Sequence, residues 1–489
     1  MTTFALLAAI ALAAGDAPSP AAPARPAACS LPRAASWREY RSRHFLIDAT
    51  DAGPKPERLV QVFEELHAAV VGALVGEPVE IPGRVRVIVL PRERDVGDLL
   101  RADFSGFFTI SRLGEPVVVV SADALEGAPY VIAHELAHHV SHHLFPWQPR
   151  WFAEGLAQFV ESVARVDGGK RWAAAGPQAG WAIDRFAILQ PEDLFRWSRS
   201  SNTGDLYASA WILYRYLWND HGRAFSAFQR RLSDGERPAA AWRAVFPRWD
   251  PEDPKNGLNT LRGELQRHRT RGEGLRYAIE VGQVDCAFTT HAASTADLHL
   301  LLEPARTSAT NPMVRDRVRD AEAAEALAEE PHHPGALALR ARGDRAATAR
   351  ALRASAAARP GDWRTWHLLA AAVEDPAERE VALRRAIGLE PDAALANAAL
   401  AEALAAAGRP REGLAFANRA LDLAPWHPAA VAALADVAGQ LGRCEEALLL
   451  GERAIAAAAG GHLGEPVDDA PLKSRLAALR TRCGAAASP

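Results

Sequence analysis

Prolines cut the C-terminal third of this chain into short helical lengths. They recur at Pro331, Pro360, Pro391 and Pro425, each at the end of a predicted helix in an alanine-dominated stretch. A proline lacks the N–H that a helix interior needs and its ring collides with the preceding turn, so each one stops a helix. The interval from Pro391 to Pro425 is 34 residues. Superposing the segments that follow these two prolines puts Leu400, Ala401, Gly413 and Ala420 in register with Leu434, Ala435, Ala447 and Ala454, small or apolar every time. Trp366, Leu369, Ala370 and Ala386 fit a shortened copy before them. Small residues let paired helices approach closely, and a pair that cannot bury its apolar face alone stacks on the next. The expectation is an all-α array.

That period and those positions resemble the tetratricopeptide repeat over about residues 331–460, with degenerate earlier copies. The resemblance implies an all-α tetratricopeptide-like solenoid that binds a protein partner. Composition supports a chain of several domains: 489 residues, 49% hydrophobic and 24% charged. With 56 Lys and Arg against 60 Asp and Glu the net charge is −4, so nothing electrostatic points to nucleic acid or an anionic membrane. Four cysteines without C-x-x-C spacing exclude a disulfide scaffold, a structural zinc knuckle and a redox dithiol. In an oxidising compartment Cys29, Cys286, Cys444 and Cys483 could form two bridges, and Cys444 with Cys483 is the favoured pair.

The N-terminus suggests such a compartment. An apolar run from Phe4 to Ala14 is too short to span a bilayer, and small residues at Ala11, Ala13 and Ala17 suit a signal peptidase. Residues 1–17 are therefore read as a signal peptide and 18–35 as a Pro/Ala tether, which places the protein in the periplasm, the cell envelope or outside the cell. The mature chain is expected to carry no transmembrane helix. Strand patterns follow at residues 43–49, 84–90, 106–110 and 117–121, with a helical pattern at 57–74 between the first two. From Pro129 the periodicity turns helical: one helix to Leu144, stopped by Pro146 and Pro149, one from near Trp151, then others at 207–219 and 224–232.

The first of these helices carries His134-Glu135-Leu136-Ala137-His138. The i, i+4 spacing puts both imidazoles on one face where they can share a metal, and Glu135 can reach a metal-bound water. A hydrolytic zinc site wants three protein ligands and one open position. His139 and His143 point away from the pair, and His142 shares the face but lies about 12 Å from His134 along the axis. The following helix can pack against the first and offer Glu154, with Glu161, about two turns on, as the runner-up. Gln158 is a candidate to hold the free ring nitrogen of a ligand histidine. Trp147, Trp151, Phe152 and Phe159 read as an apolar seam, and His139, His142 and His143 as solvated or capping groups at the helix end.

His134-Glu135-x-x-His138 followed by Trp151-Phe152-Ala153-Glu154-Gly155-Leu156-Ala157 resembles the gluzincin metallopeptidases of the peptidase-MA-like type, over roughly residues 36–232. A metzincin needs a glycine and a third histidine where Ser141 and Leu144 stand, the thermolysin-type N-E-x-x-S-D is absent, and so is an aminopeptidase's G-x-M-E-N. The resemblance implies a zincin-like α+β domain, Zn2+ held by His134, His138 and Glu154, and Glu135 as the base that passes a proton from water to the leaving amine. It further implies Tyr207 as the group that steadies the oxyanion, and a peptide substrate extended along an edge strand, for which residues 117–121 are the natural candidate.

The expected organisation is a zincin-like metallopeptidase domain over 36–270, a junction with the first repeat helices over 271–330, tetratricopeptide-like repeats over 331–470 and a tail over 471–489. The expected function is an exported zinc-dependent peptidase whose repeats bind protein. The rival is an inert zincin-fold adaptor in which the repeats do the work.

Overall fold

The computed structural model describes residues 37–486 apart from 52, 76–78, 101–105, 128, 167–170, 175–189, 198–203, 254–256, 270–276, 280, 309–313, 342 and 460–467. The export signal, the tether and Cys29 lie outside the described residues.

The N-terminal part runs β1 (Trp37–Arg41), β2 (Phe45–Thr50), α1 (Pro56–Val75), β3 (Val85–Leu90), α2 (Glu93–Leu100), β4 (Gly106–Ile110) and β5 (Pro116–Ser121). It continues with α3 (Ala122–Gly127), α4 (Pro129–Leu144), α5 (Arg150–Val160), β6 (Ala164–Val166), β7 (Arg171–Ala174), α6 (Pro191–Phe195) and α7 (Gly204–Asp220). Then come α8 (Gly222–Ser233), α9 (Pro238–Val245), α10 (Gly257–Arg269), β8 (Tyr277–Ile279) and β9 (Thr289–Ala292). One mixed sheet has the order β4-β5-β3-β2-β1-β9, and β6-β7-β8 form a second, small one. In the large sheet β2, β3 and β5 are parallel, while β4, β1 and β9 add antiparallel pairs at its two sides.

Every residue of β3 is buried, the mark of a strand covered on both faces. On one face Val85, Val87, Val89, Val118 and Val120 join the core built with α1 and α4; on the other Ile88, Leu90, Val117 and Val119 meet Val96 and Leu99 of α2 and Leu298, Leu301 and Leu302 of α11 (Thr295–Ser308). The segment read as a junction thus completes the N-terminal sheet: β9 pairs with β1, and α11 covers the second face. Beneath this cover Arg86 is held by Glu39 and Asp48 at 2.9 and 2.8 Å, a buried charge that keeps its hydrogen bonds.

The chain then becomes helical: α12 (Arg315–Glu329), α13 (Pro334–Arg340), α14 (Arg345–Ala358), α15 (Trp363–Ala372), α16 (Pro376–Leu389), α17 (Ala394–Ala406), α18 (Pro410–Leu423), α19 (Pro428–Gln440), α20 (Cys444–Ala459) and α21 (Ala470–Ala486). These stack as a helical-repeat array whose core is mostly Ala and Leu. Leu400, Ala401, Ala420, Leu434, Ala435, Ala447 and Ala454, aligned by the proline period, are all buried. The stretch from 471, read as a tail, differs from that reading. Leu472, Leu476 and Leu479 of α21 are buried, and Cys483 is disulfide-bonded to Cys444 with Cα atoms 5.5 Å apart.

The array is seated on the sheet domain. Arg364 of α15 reaches Glu115 at 3.4 Å, Arg319 of α12 reaches Glu303 of α11 at 3.0 Å, and Phe108 and Ile110 of β4 pack into the array's core. Among the described residues no helix is long and apolar enough to cross a membrane.

Candidate metal centre

Helix α4 presses Ile132, Ala133, Leu136, Ala137 and Val140 into the core, all fully buried. A helix anchored on that stripe carries residues 134 and 138 together on another face, one turn apart. His134 Nε2 and His138 Nε2 lie 3.2 Å apart. After the turn at Pro146 and Pro149, α5 packs on α4 and brings Glu154 Oε2 to 3.7 Å from His134 Nε2 and 3.5 Å from His138 Nε2. Among the described residues, these three make up the group whose donor atoms could hold a metal, all within 4.8 Å of one another.

The donor set fits zinc. Zinc with nitrogen and oxygen ligands at about 2.0–2.1 Å in a tetrahedron puts neighbouring donors about 3.3–3.4 Å apart, and the observed 3.2, 3.5 and 3.7 Å bracket that spacing. Glu161, the runner-up ligand, sits elsewhere: its Oε1 is 2.6 Å from His134 Nδ1. That hydrogen bond fixes the tautomer with the proton on Nδ1 and the Nε2 lone pair facing His138 and Glu154. Without a metal, the same carboxylates favour the charged imidazolium, so binding an ion exchanges that positive charge for the metal's own. Burial alone would lower the His134 pKa, but bonds to Glu154 and Glu161 hold it well above the usual histidine value. Burial would raise Glu154, yet His138 and His134 keep its carboxyl well below the carboxylate range. Burial, with Glu154 and Glu161 nearby, pushes Glu135 up against the opposing pull of His134 and His138. Glu135, Glu154 and Glu161 all act on His134, so the pocket favours positive charge.

Tyr207 is in the first turn of α7, and its approach depends on Gly155. A Cβ there would stand 2.7 Å from Ala210 O and 2.9 Å from Tyr214 Cβ, so only glycine lets α5 and α7 close to this distance. Burial first and then the Glu154 charge push the Tyr207 phenol up to about 12, and Arg150 hydrogen-bonds it. Its ring meets Trp197 edge-on at 5.1 Å. Gln158 does not serve a histidine: its Nε2 donates to Tyr207 O at 3.1 Å, because one turn beyond Glu154 its side chain faces α7. Arg150 and Trp197 are the site residues that the sequence reading missed. Arg150 stands one turn before Glu154 on the same helix face, and that i, i+4 spacing was the available signal.

Two further expectations change. His139, His142 and His143 are not solvated: His139 and His142 are buried, and Trp426 at the start of α19 stands against all three rings at 5.9, 5.5 and 4.9 Å. His142 and His143 bond the carbonyls of His138 and His139, one turn back. The edge strand is β4, not residues 117–121, because β5 is paired on both sides and β4 only on one. Phe108 of β4 brings its ring 6.4 Å from that of His138. The apolar seam stands for Trp151, Phe152 and Phe159, buried in the core, whereas Trp147, in the turn between α4 and α5, is only half-buried.

No family model and no curated protein matches the chain. Among solved structures it is similar to TTC0263, a thermophilic TPR protein of Thermus thermophilus, at 22% identity over 35% of this chain and 92% of that one, with a TM-score of 0.28. It is also similar to MamA, at 15% identity over 30% of this chain and 95% of that one, with a TM-score of 0.25.

Proposed function

We propose that this chain is an exported zinc-dependent peptidase in which a zincin-like domain cleaves peptide bonds and the helical-repeat array engages a protein. The observation that carries the reading is the convergence of His134 Nε2, His138 Nε2 and Glu154 Oε2 at tetrahedral spacing, with Glu135 next in the chain to His134. His134, His138 and Glu154 hold the ion, and Glu161 keeps His134 in the binding tautomer. Zinc, when bound, supplies a Lewis acid and a more acidic water. Glu135 takes a proton from the attacking water and returns it to the leaving amine; burial, which raises its affinity for that proton, suits a base that must hold and then release it. Tyr207 keeps its own proton at neutral pH, its phenol being pushed up to about 12, so its hydroxyl remains a hydrogen-bond donor for a developing oxyanion.

Incubation of the purified chain with a library of internally quenched peptides, with and without a zinc chelator, tests this. Cleavage that the chelator abolishes and added zinc restores is expected. A zinc-loaded protein that cleaves none of the library, and no unfolded protein either, would move the weight to an inert adaptor.

A further inference from the structure

The two oxygens of Glu154 have different neighbours. Oε2 faces His134 and His138 at 3.7 and 3.5 Å, whereas Oε1 is turned to Arg150 Nε at 3.7 Å. The Arg150 side chain is only 14% exposed. Its guanidinium carbon lies 4.9 Å over the centre of the Trp197 ring, and it hydrogen-bonds the Tyr207 side chain. Trp197 in turn meets Tyr207 edge-on at 5.1 Å. One planar cation therefore touches a ligand carboxylate, the Tyr207 side chain and the Trp197 ring that packs against both the cation and the tyrosine. Arginine suits such a place because its fork of donors reaches several acceptors at once while its flat face stacks.

We propose that Arg150 is a positioning residue that holds Glu154 to binding the metal through one oxygen and orients the Tyr207 hydroxyl over the same centre. The inference rests on the zinc reading above. By engaging Oε1, Arg150 keeps Glu154 from closing on the ion with both oxygens, so a coordination position stays open for water. By holding Tyr207 it ties the hydroxyl to the ligand it must act beside.

Cobalt(II) is the probe, because its visible absorption is strong in four-coordinate sites and weak when a fifth ligand joins. Wild type loaded with cobalt(II) is expected to show the strong band. Arg150→Gln is expected to bind cobalt about 10–100-fold more weakly, the usual cost of losing a partner that orients a ligand, and to lose band intensity as Oε1 joins the metal. Arg150→Lys keeps the charge but not the fork, and should recover part of the affinity and of the band. Tyr207→Phe should leave the band unchanged, which separates the hydroxyl from the carboxylate. Wild-type affinity and spectrum in Arg150→Gln would overturn the role of Arg150 and leave the zinc reading intact. If wild type takes up neither cobalt nor zinc, the zinc reading falls, and this inference with it. Should Arg150→Gln fail to fold, Arg150→Lys and Trp197→Leu, which removes the stacking face, carry the same comparison.

Discussion

Helices α5 and α7 meet at Gly155 and helices α17 and α18 meet at Gly413, and at both crossings a Cβ would press on the partner's backbone, at 2.7 Å from Ala210 O and 3.0 Å from Ala401 O. The packing rule is the same in the two regions, and what surrounds each crossing differs. Beside Gly155 the helices bury Glu154, Gln158 and Glu161 with α4 adding His138, while beside Gly413 they bury Ala398, Ala401, Leu404, Ala405, Ala417 and Ala420. Burying ionisable groups costs stability unless each finds a partner. A fold that keeps such groups in its core gives up stability locally, and functional sites are where that is expected. The repeat crossing has no such burden, and its many alanines and leucines share the work of holding the array together.

This contrast separates loss of chemistry from loss of fold. The largest effect expected is on turnover: Glu135→Gln should lower peptide hydrolysis by about 10²–10⁴-fold or more, with melting temperature and zinc content unchanged, as measured by steady-state kinetics, calorimetry and atomic absorption. In the array, Leu400, fully buried among Ala370, Leu383 and Leu404, gives the opposite result. Leu400→Ala should cost about 2–5 kcal/mol in urea titration and leave the activity of the folded fraction unaltered.

A smaller effect, shared by both regions, comes with acid. Burial pushes His67 in α1 down to about 3, and His143 near the end of α4 and His427 at the N-cap of α19 down to about 4. A histidine lowered in the folded state binds its proton more readily when unfolded, so its contribution is present at pH 7 and is lost as pH falls from about 6.5 toward 4. Asp48, raised to about 6 by burial, works in the other direction over 3.8 to 6. The histidines outnumber it, and denaturant midpoints should fall between pH 7.5 and pH 5, each histidine giving up to roughly 2 kcal/mol. His427→Asn, which keeps a side chain able to cap α19, should shrink that fall. The smallest effect belongs to the array's exposed ion pairs. Arg353, paired with Glu378 at 2.7 Å, should tolerate replacement by alanine with no measurable change in melting temperature.

Much of this was legible in the sequence because it rests on local chemistry. The strand at 106–110, the helix from Pro129 to Leu144 and the buried repeat positions follow from periodicity and prolines, and the pair His134 and His138 from helical spacing. What could not be read depends on packing between distant segments. β9 and α11 complete a sheet that begins more than 240 residues earlier, and no local pattern in 289–308 announces it. The choice between Glu154 and Glu161 turns on how α5 lies across α4, which sets one carboxylate facing both Nε2 atoms and the other on Nδ1. Phe108 and Trp426 come beside the histidines of α4 only through the β4 edge and the docked array.

Metal content per chain, determined after purification without chelators on wild type, Glu135→Gln and Glu154→Ala, decides most directly whether three side chains here build a zinc site. About one zinc in wild type, kept in Glu135→Gln and lost or sharply weakened in Glu154→Ala, is expected. Wild type without stoichiometric zinc, or Glu154→Ala binding it as tightly as wild type, would contradict the site.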